Sequence, residues 1–182
     1  MSPRRFLCAL VFAVASAALA QDPNPKPAQE PPMKAAGGDQ TFAQKAAMGN
    51  MAEVEAGKIA LEKSSNEKVK AFAQRLVTDH TKAGDELKAA ASQEGITVPS
   101  AIDAKHQAAL DHLKGLSGDQ FDAAFKAHMV EDHKKDIAMF EKEAASGQSA
   151  VDQFASQTLP TLKEHLKMAE DLPGTGAAST HH

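Results

Sequence analysis

Three dipeptides, Asp79-His80, Asp132-His133 and Glu164-His165, each set a nitrogen donor beside an anionic oxygen, and Asp111-His112 repeats the pattern. Neutral imidazole and carboxylate without thiolate suit Zn, Mn, Fe or Cu. The chain's only cysteine, Cys8, lies in an apolar run near the start, so neither thiolate ligands nor disulfides are expected in the folded part. Two other uses of the same residues stand beside metal binding. Buried histidines hydrogen-bonded to acids on neighbouring helices fix the register of a bundle and bind nothing. Imidazoles near their ordinary pKa also sense pH.

Spacing turns these histidines inward. His80 follows Leu76 by four residues and precedes Leu87 by seven, and His133 stands four residues from both Met129 and Ile137. His165 follows Leu162 by three and precedes Ala169 by four. Each therefore lies on an apolar helical stripe. Successive helix residues point about 100° apart, so an acid cannot hold its own neighbour's ring but can reach a ring on an adjacent helix. Glu53 shares a face with the small residues Ala46, Gly49, Gly57 and Ala60, and Glu55 sits between Met51 and Ile59. The candidate metal ligands are accordingly Glu53, Glu55, Asp79, His80, Asp132, His133 and His165. His106, His112 and His128 are expected at solvated flanks, and His181-His182 is a tail pair able to chelate adventitiously.

The elements that must carry these residues are helices. Thr41-x-x-Gln44, Ser64-x-x-Glu67 and Ser117-x-x-Gln120 have capping-box spacing, and Ser149-x-x-Asp152 is a version with a shorter acid. Gly95, Gly115 and Gly147 fall where helices would end. The reading is long helices at about 41–63, 65–94, 118–146 and 149–171 with a short one at about 101–114, among residues of high helix propensity. The simplest architecture is all-α: an antiparallel four-helix bundle with an extra short helix between the second and third. Pro160 is expected to kink the last helix one turn before His165. The segment 72–82 overlays 125–135 without a gap, with Phe, Val, Asp, His and Lys coinciding, which suggests a duplicated helical hairpin.

The chain has 182 residues, and its opening, MSPRRFLCALVFAVASAALA, reads as a secretory signal peptide over 1–20, cleaved after Ala20. Its apolar run is shorter than the roughly 20 residues of a membrane span. Residues 21–40 hold five of the nine prolines and read as a disordered spacer, 41–172 as the bundle, and 173–182 as a disordered tail. A periplasmic or secreted location follows. Lys and Arg number 20 against 24 Asp and Glu, aromatics are 4%, and Trp and Tyr are absent, which argues against a nucleic-acid partner. No phosphate loop, nucleophile elbow or HExxH motif indicates an enzyme. Two functions stay open: an exported bundle that binds a divalent metal or small polar ligand, and a non-enzymatic envelope protein that meets a protein partner and whose histidines are structural.

The ordered set Gly49-x-x-x-Glu53-Val54-x-x-Gly57, Val69-Lys70-Ala71-Phe72-Ala73-Gln74-Arg75-Leu76-Val77-x-Asp79-His80, Met129-x-x-Asp132-His133 and Leu159-Pro160-x-Leu162-x-x-His165 resembles the bacterial domain-of-unknown-function family numbered 4142. The resemblance implies a ferritin-like four-helix bundle in an exported protein, with no established activity. The family's Glu, Asp-His, Asp-His and His positions correspond to Glu53, Asp79, His80, Asp132, His133 and His165. A ferritin-like di-iron centre needs Glu-x-x-His on two helices, whereas Val77, Val130 and Leu162 stand three residues before the histidines here. Ferroxidase chemistry is therefore not expected from the fold.

Overall fold

Free amides at a helix start need an acceptor, and the polar residues that provide one locate the helices of this chain. The structure is a computed structural model that describes residues 37–174. The expected signal peptide, most of the expected spacer and the tail from 175 lie outside the described residues. The helices are α1 (Gly37–Lys63), α2 (Glu67–Gln93), α3 (Ala104–Gly115), α4 (Gly118–Ala144) and α5 (Ala150–Glu170).

The caps differ in part from those the spacing favours. Thr41 lies inside α1, where its hydroxyl donates back to the Gly37 carbonyl at 2.6 Å, so residues 37–40 are helical and belong to the bundle. At α2 the cap is Asn66, whose Oδ1 accepts from the amides of Lys68 and Val69 at 2.9 and 3.4 Å, while Ser64 Oγ supports the Asn66 amide at 3.0 Å. Ser117 precedes α4 but makes no side-chain cap bond. The shorter acid does better: Ser149 and Asp152 form a complete capping box, with bonds of 3.0 and 3.1 Å. Gly95, at φ 68°, ends α2 in the left-handed region and lets the Ile96 amide reach the Ala91 carbonyl at 2.9 Å.

The core has two apolar layers with a polar layer between them. One layer gathers Ile59, Phe72, Leu76, Phe121, Phe125, Met129 and Leu172, and the other Phe42, Leu87, Phe140, Val151, Phe154 and Leu162. Every long helix passes from one to the other and crosses the boundary at Glu53, His80, His133 or His165, all of them buried. The order of passage is reversed between α1 and α2 and between α4 and α5, so each of these closely packed pairs is antiparallel. Contacts of α2 with α5 and of α1 with α4 close the bundle, and α3 lies against α1 and α4.

In this arrangement α2 and α4 face each other across the core, and the two copies of the matched segment meet there through Phe72 and Phe125, whose rings are 6.1 Å apart. The duplicated hairpin expected from the match is not what the topology shows. Residues 72–82 lie on the second helix of the first hairpin and 125–135 on the first helix of the second. The two matched segments lie on helices that run the same way through the same layers.

Close approach of α1 to α2 depends on Gly57. A Cβ there would lie 2.8 Å from Val77 Cγ2, which would have to shift, and 3.1 Å from the Ala73 carbonyl oxygen, which would have to give by a few tenths of an ångström. Gly57→Ala is expected to destabilise the fold by about 1–3 kcal/mol, against the usual gain in helix propensity. Urea denaturation would check this, and an unchanged or raised midpoint would refute the close packing.

Candidate metal centre

Histidine rings from three helices converge in the polar layer, with centroid separations of 5.2, 5.4 and 5.8 Å among His80, His133 and His165. His133 and His165 have no exposed surface. One ring nitrogen of each is engaged from outside the group. His133 Nδ1 lies 2.9 Å from the Met129 carbonyl oxygen. His80 Nδ1 lies 3.0 Å from Asn50 Oδ1, and His165 Nε2 lies 2.9 Å from Asp79 Oδ2. The other nitrogens, His80 Nε2, His133 Nε2 and His165 Nδ1, are buried with no hydrogen-bond partner. A ligand atom from each of the three residues lies within 4.8 Å of those of the other two.

Glu53 stands behind two of the rings. Its Oε2 is 3.1 Å from His80 Nδ1 and its Oε1 is 3.2 Å from His133 Nδ1. Neither approach has hydrogen-bond alignment, so both oxygens also lack a partner. Burial, with Asp136 and Asp132 adding to it, holds the Glu53 carboxyl well above its ordinary pKa. Burial likewise pushes all three imidazoles down. For His80 the neighbouring histidines His133 and His165 add to the effect, and His133 falls to about 4. The rings are therefore neutral near pH 7, with lone pairs available as donors. Burial disfavours the charged form of the carboxyl behind them in the same way.

Asp79 is one of the acids that does reach a neighbouring helix, as the 100° argument requires. Burial disfavours its ionised form, but hydrogen bonds from Arg75 and His165 outweigh this, and its carboxyl stays below the ordinary range. Arg75 pairs with Asp79 and also contacts Glu164 Oε2 at 3.4 Å, which holds the third acid of the dipeptide series outside the bundle.

Two expected ligands do not join the group. Glu55 is exposed and pairs with Lys58 at 2.6 Å, because it sits two residues from Glu53 and so on another side of α1. Asp132 is half-buried and turns along its own helix to His128 Nε2 at 3.3 Å. His128 and His106, expected at solvated flanks, are both partly exposed, and His106 Nδ1 lies 2.7 Å from the capping residue Asp103 at Oδ1.

Two residues of the site were missed from sequence. Asn50 holds His80 at two points, its Nδ2 donating to the His80 carbonyl at 2.6 Å as well as meeting Nδ1. Asp136 borders the same small cavity as Glu53 and His80, and burial, with Asp132 adding to it, pushes its carboxyl up to about 7. Both carried a signal, since each lies three residues from an inward group on its own helix, Asn50 from Glu53 and Asp136 from His133.

Buried carboxylates also meet elsewhere: Asp39, Glu143 and Asp152 bring oxygens within 4.8 Å of one another. That group serves the turn between α4 and α5, where Ser146 Oγ donates to Asp152 Oδ1 at 2.7 Å beside the Ser149 cap.

The profile of the family described as domain of unknown function (DUF4142) matches residues 23–172, which takes in α1 to α5 and every residue of the triad. The chain belongs to the DUF4142 family. No curated protein matches it in sequence. Among solved structures, this DUF4142 chain is similar to a DUF305 fragment from Deinococcus radiodurans, at 18% identity and a TM-score of 0.65, covering 73% of this chain and 93% of that one. It is also similar to a DUF305 protein from Streptomyces coelicolor described as secreted, at 15% identity and a TM-score of 0.62, covering 76% and 93%. CopM in its Cu(I)-bound form aligns at 18% identity and a TM-score of 0.61, covering 72% of this chain and 92% of that one. At these identities the likeness is one of fold: DUF4142 here adopts the same kind of helical bundle. Among the described residues no helix is long and apolar enough to cross a membrane.

Proposed function

We propose that this protein is an exported metal-binding bundle that holds a copper ion, foremost Cu(I), on His80, His133 and His165. The observation that carries the reading is the burial, in one layer, of three ring nitrogens without hydrogen-bond partners, on three histidines that each bring a ligand atom within 4.8 Å of those of the other two. A buried polar atom left unpaired costs about 1–3 kcal/mol, so three in one place are best understood as donors kept for a ligand. The opposite nitrogens have the carbonyl and carboxylate partners that orient metal-binding histidines, with Met129, Asn50, Asp79 and Glu53 in that supporting role.

Three neutral nitrogens in a buried site between two apolar layers suit copper among the ions the donors allow. Cu(I) accepts three donors and carries one charge into the core, whereas zinc in a closed site takes four ligands. Manganese and iron are better served by the carboxylates that Glu55 and Asp132 would have supplied, and those two point elsewhere. Likeness of fold to CopM, described in a Cu(I)-bound form, supports the same choice. The exported location rests on the signal peptide over 1–20.

Untagged protein, titrated anaerobically with Cu(I) and separately with Zn(II), is the test. Copper is expected to raise the melting temperature through preferential binding to the folded state, worth about 2.7 kcal/mol at a free concentration about 100 times Kd. The rise should vanish in His80→Ala and His165→Ala and persist when His181-His182 are deleted. A shift that follows the tail pair, or no shift with either ion, would leave the histidines with a structural role only.

A further inference from the structure

The unpaired ring nitrogens of the triad are buried, so an ion needs a way through the helices. Beside Glu53, His80 and Asp136 lies a cavity of about 10 Å³, the space of one water at most. Its wall includes Ala83 of α2 and Thr158 of α5. The same two side chains line a polar cleft of about 190 Å³ open on the α2–α5 side, together with Asp79, Glu86 and Gln157. Ala83 and Thr158 are the residues the two spaces share, and both are only half-buried.

Resting on the metal-binding reading, we propose that the cation reaches the triad through this α2–α5 cleft, past a neck formed by Ala83 and Thr158. The chemistry of the route runs in one direction. Glu86 and Asp79 bring carboxylate oxygens to the cleft, with Lys82 3.6 Å from Glu86 and Arg75 paired with Asp79. Asp79 belongs to both ends, since the cleft is lined by the carboxylate whose Oδ2 meets His165 Nε2 at 2.9 Å. At the neck the Thr158 hydroxyl donates to the Phe154 carbonyl at 2.9 Å, which leaves its oxygen lone pairs free to face a passing cation.

The other approach is poorer. A groove of about 430 Å³ between α1, α2 and the segment before α3 also touches the inner cavity, through Asn50. Met51, Val54 and Ile102 make it largely apolar, and Asn50 is held by two contacts to His80. A cation entering there would shed water against a mostly hydrocarbon wall, with Glu55, Thr81 and Asp85 on the lining but only the engaged Asn50 leading inward.

The route is tested by rates at fixed affinity. Cu(I) transfer to and from a chromogenic chelator, followed by anaerobic stopped flow, gives association and dissociation rate constants and hence Kd. In Ala83→Leu, which fills the neck, both rate constants are expected to fall by about tenfold with Kd held within about twofold. Thr158→Val, which keeps the neck's width and removes its hydroxyl, should lower both. Ala101→Leu, placed in the apolar groove, should change neither. Wild-type rates in both neck variants, or slowing in Ala101→Leu equal to that in Ala83→Leu, would overturn the route while leaving the binding site standing. Failure of the wild-type chain to take Cu(I) at all overturns the binding reading and the route together.

Discussion

His133→Ala is expected to destabilise the metal-free protein by about 3 kcal/mol, and His112→Ala by less than about 0.5. His133 has no exposed surface, and its ring packs at 5.4–6.5 Å from those of His165, His80 and Phe72. Truncation leaves a hole at the junction of two apolar layers and takes from Glu53 one of the two imidazoles it faces. Some of the loss is offset, because the unpaired Nε2 leaves with the ring. His112 is exposed on α3 and fills no space in the core. Urea denaturation with a chelator present separates the two variants. Equal losses would mean that the polar layer is not packed as the distances describe.

The helices were legible in sequence because their signals are local. Capping residues, glycine stops and a 3.6-residue apolar period each act within a few positions, and the helices fall within a few residues of where those signals put them. The departures are local competitions: Asn66 lies nearer the first free amides of α2 than Ser64 does, and the Thr41 hydroxyl finds a carbonyl of its own helix. The three inward histidines were legible for the same reason, since each lies on a stripe whose other members are large and apolar.

The acids were not, because their positions depend on charges far away in sequence. Of three acids that precede inward histidines, Asp79 crosses to His165, Glu164 is drawn outward by Arg75, and Asp132 turns to His128. Nothing in the dipeptides distinguishes them. Glu53 and Glu55 presented a similar ambiguity, as α1 is rich in alanine and has apolar residues on several sides. The choice of Glu53 follows from where α2 and α4 bring His80 and His133. Asn50 and Asp136 share a face with inward groups but adjoin no histidine, so the acid–histidine pattern does not include them.

Glu53→Gln is expected to move stability and metal affinity in opposite directions. In the folded, metal-free protein the Glu53 carboxyl is held well above its ordinary 4.5, by burial first and then by Asp136 and Asp132. The unfolded chain gives up that proton near 4.5, so the folded state binds more protons and stability falls as pH rises from there toward the folded pKa, with a slope of at most about 1.4 kcal/mol per pH unit. The histidines act in the opposite sense. Their folded pKa values lie below 6.5, that of His133 at about 4, so their contribution is complete above 6.5 and is lost as pH falls toward 4. Between about 5 and 6.5 the two effects oppose each other and the wild-type curve should be shallow. Glutamine keeps the shape and cannot ionise. The variant should therefore be more stable than wild type at pH 8, lose that advantage toward pH 5, and show a steeper loss on the acid side. A bound cation reverses the preference at position 53, because it favours the ionised carboxylate behind His80 and His133. Loss of such a supporting carboxylate typically weakens metal binding by about 10–100-fold. Chelator-competition titration at pH 8 beside thermal melts of the metal-free proteins reads both quantities. A variant less stable than wild type at every pH, with unchanged Cu(I) affinity, would show that Glu53 pairs with the histidines for structure alone.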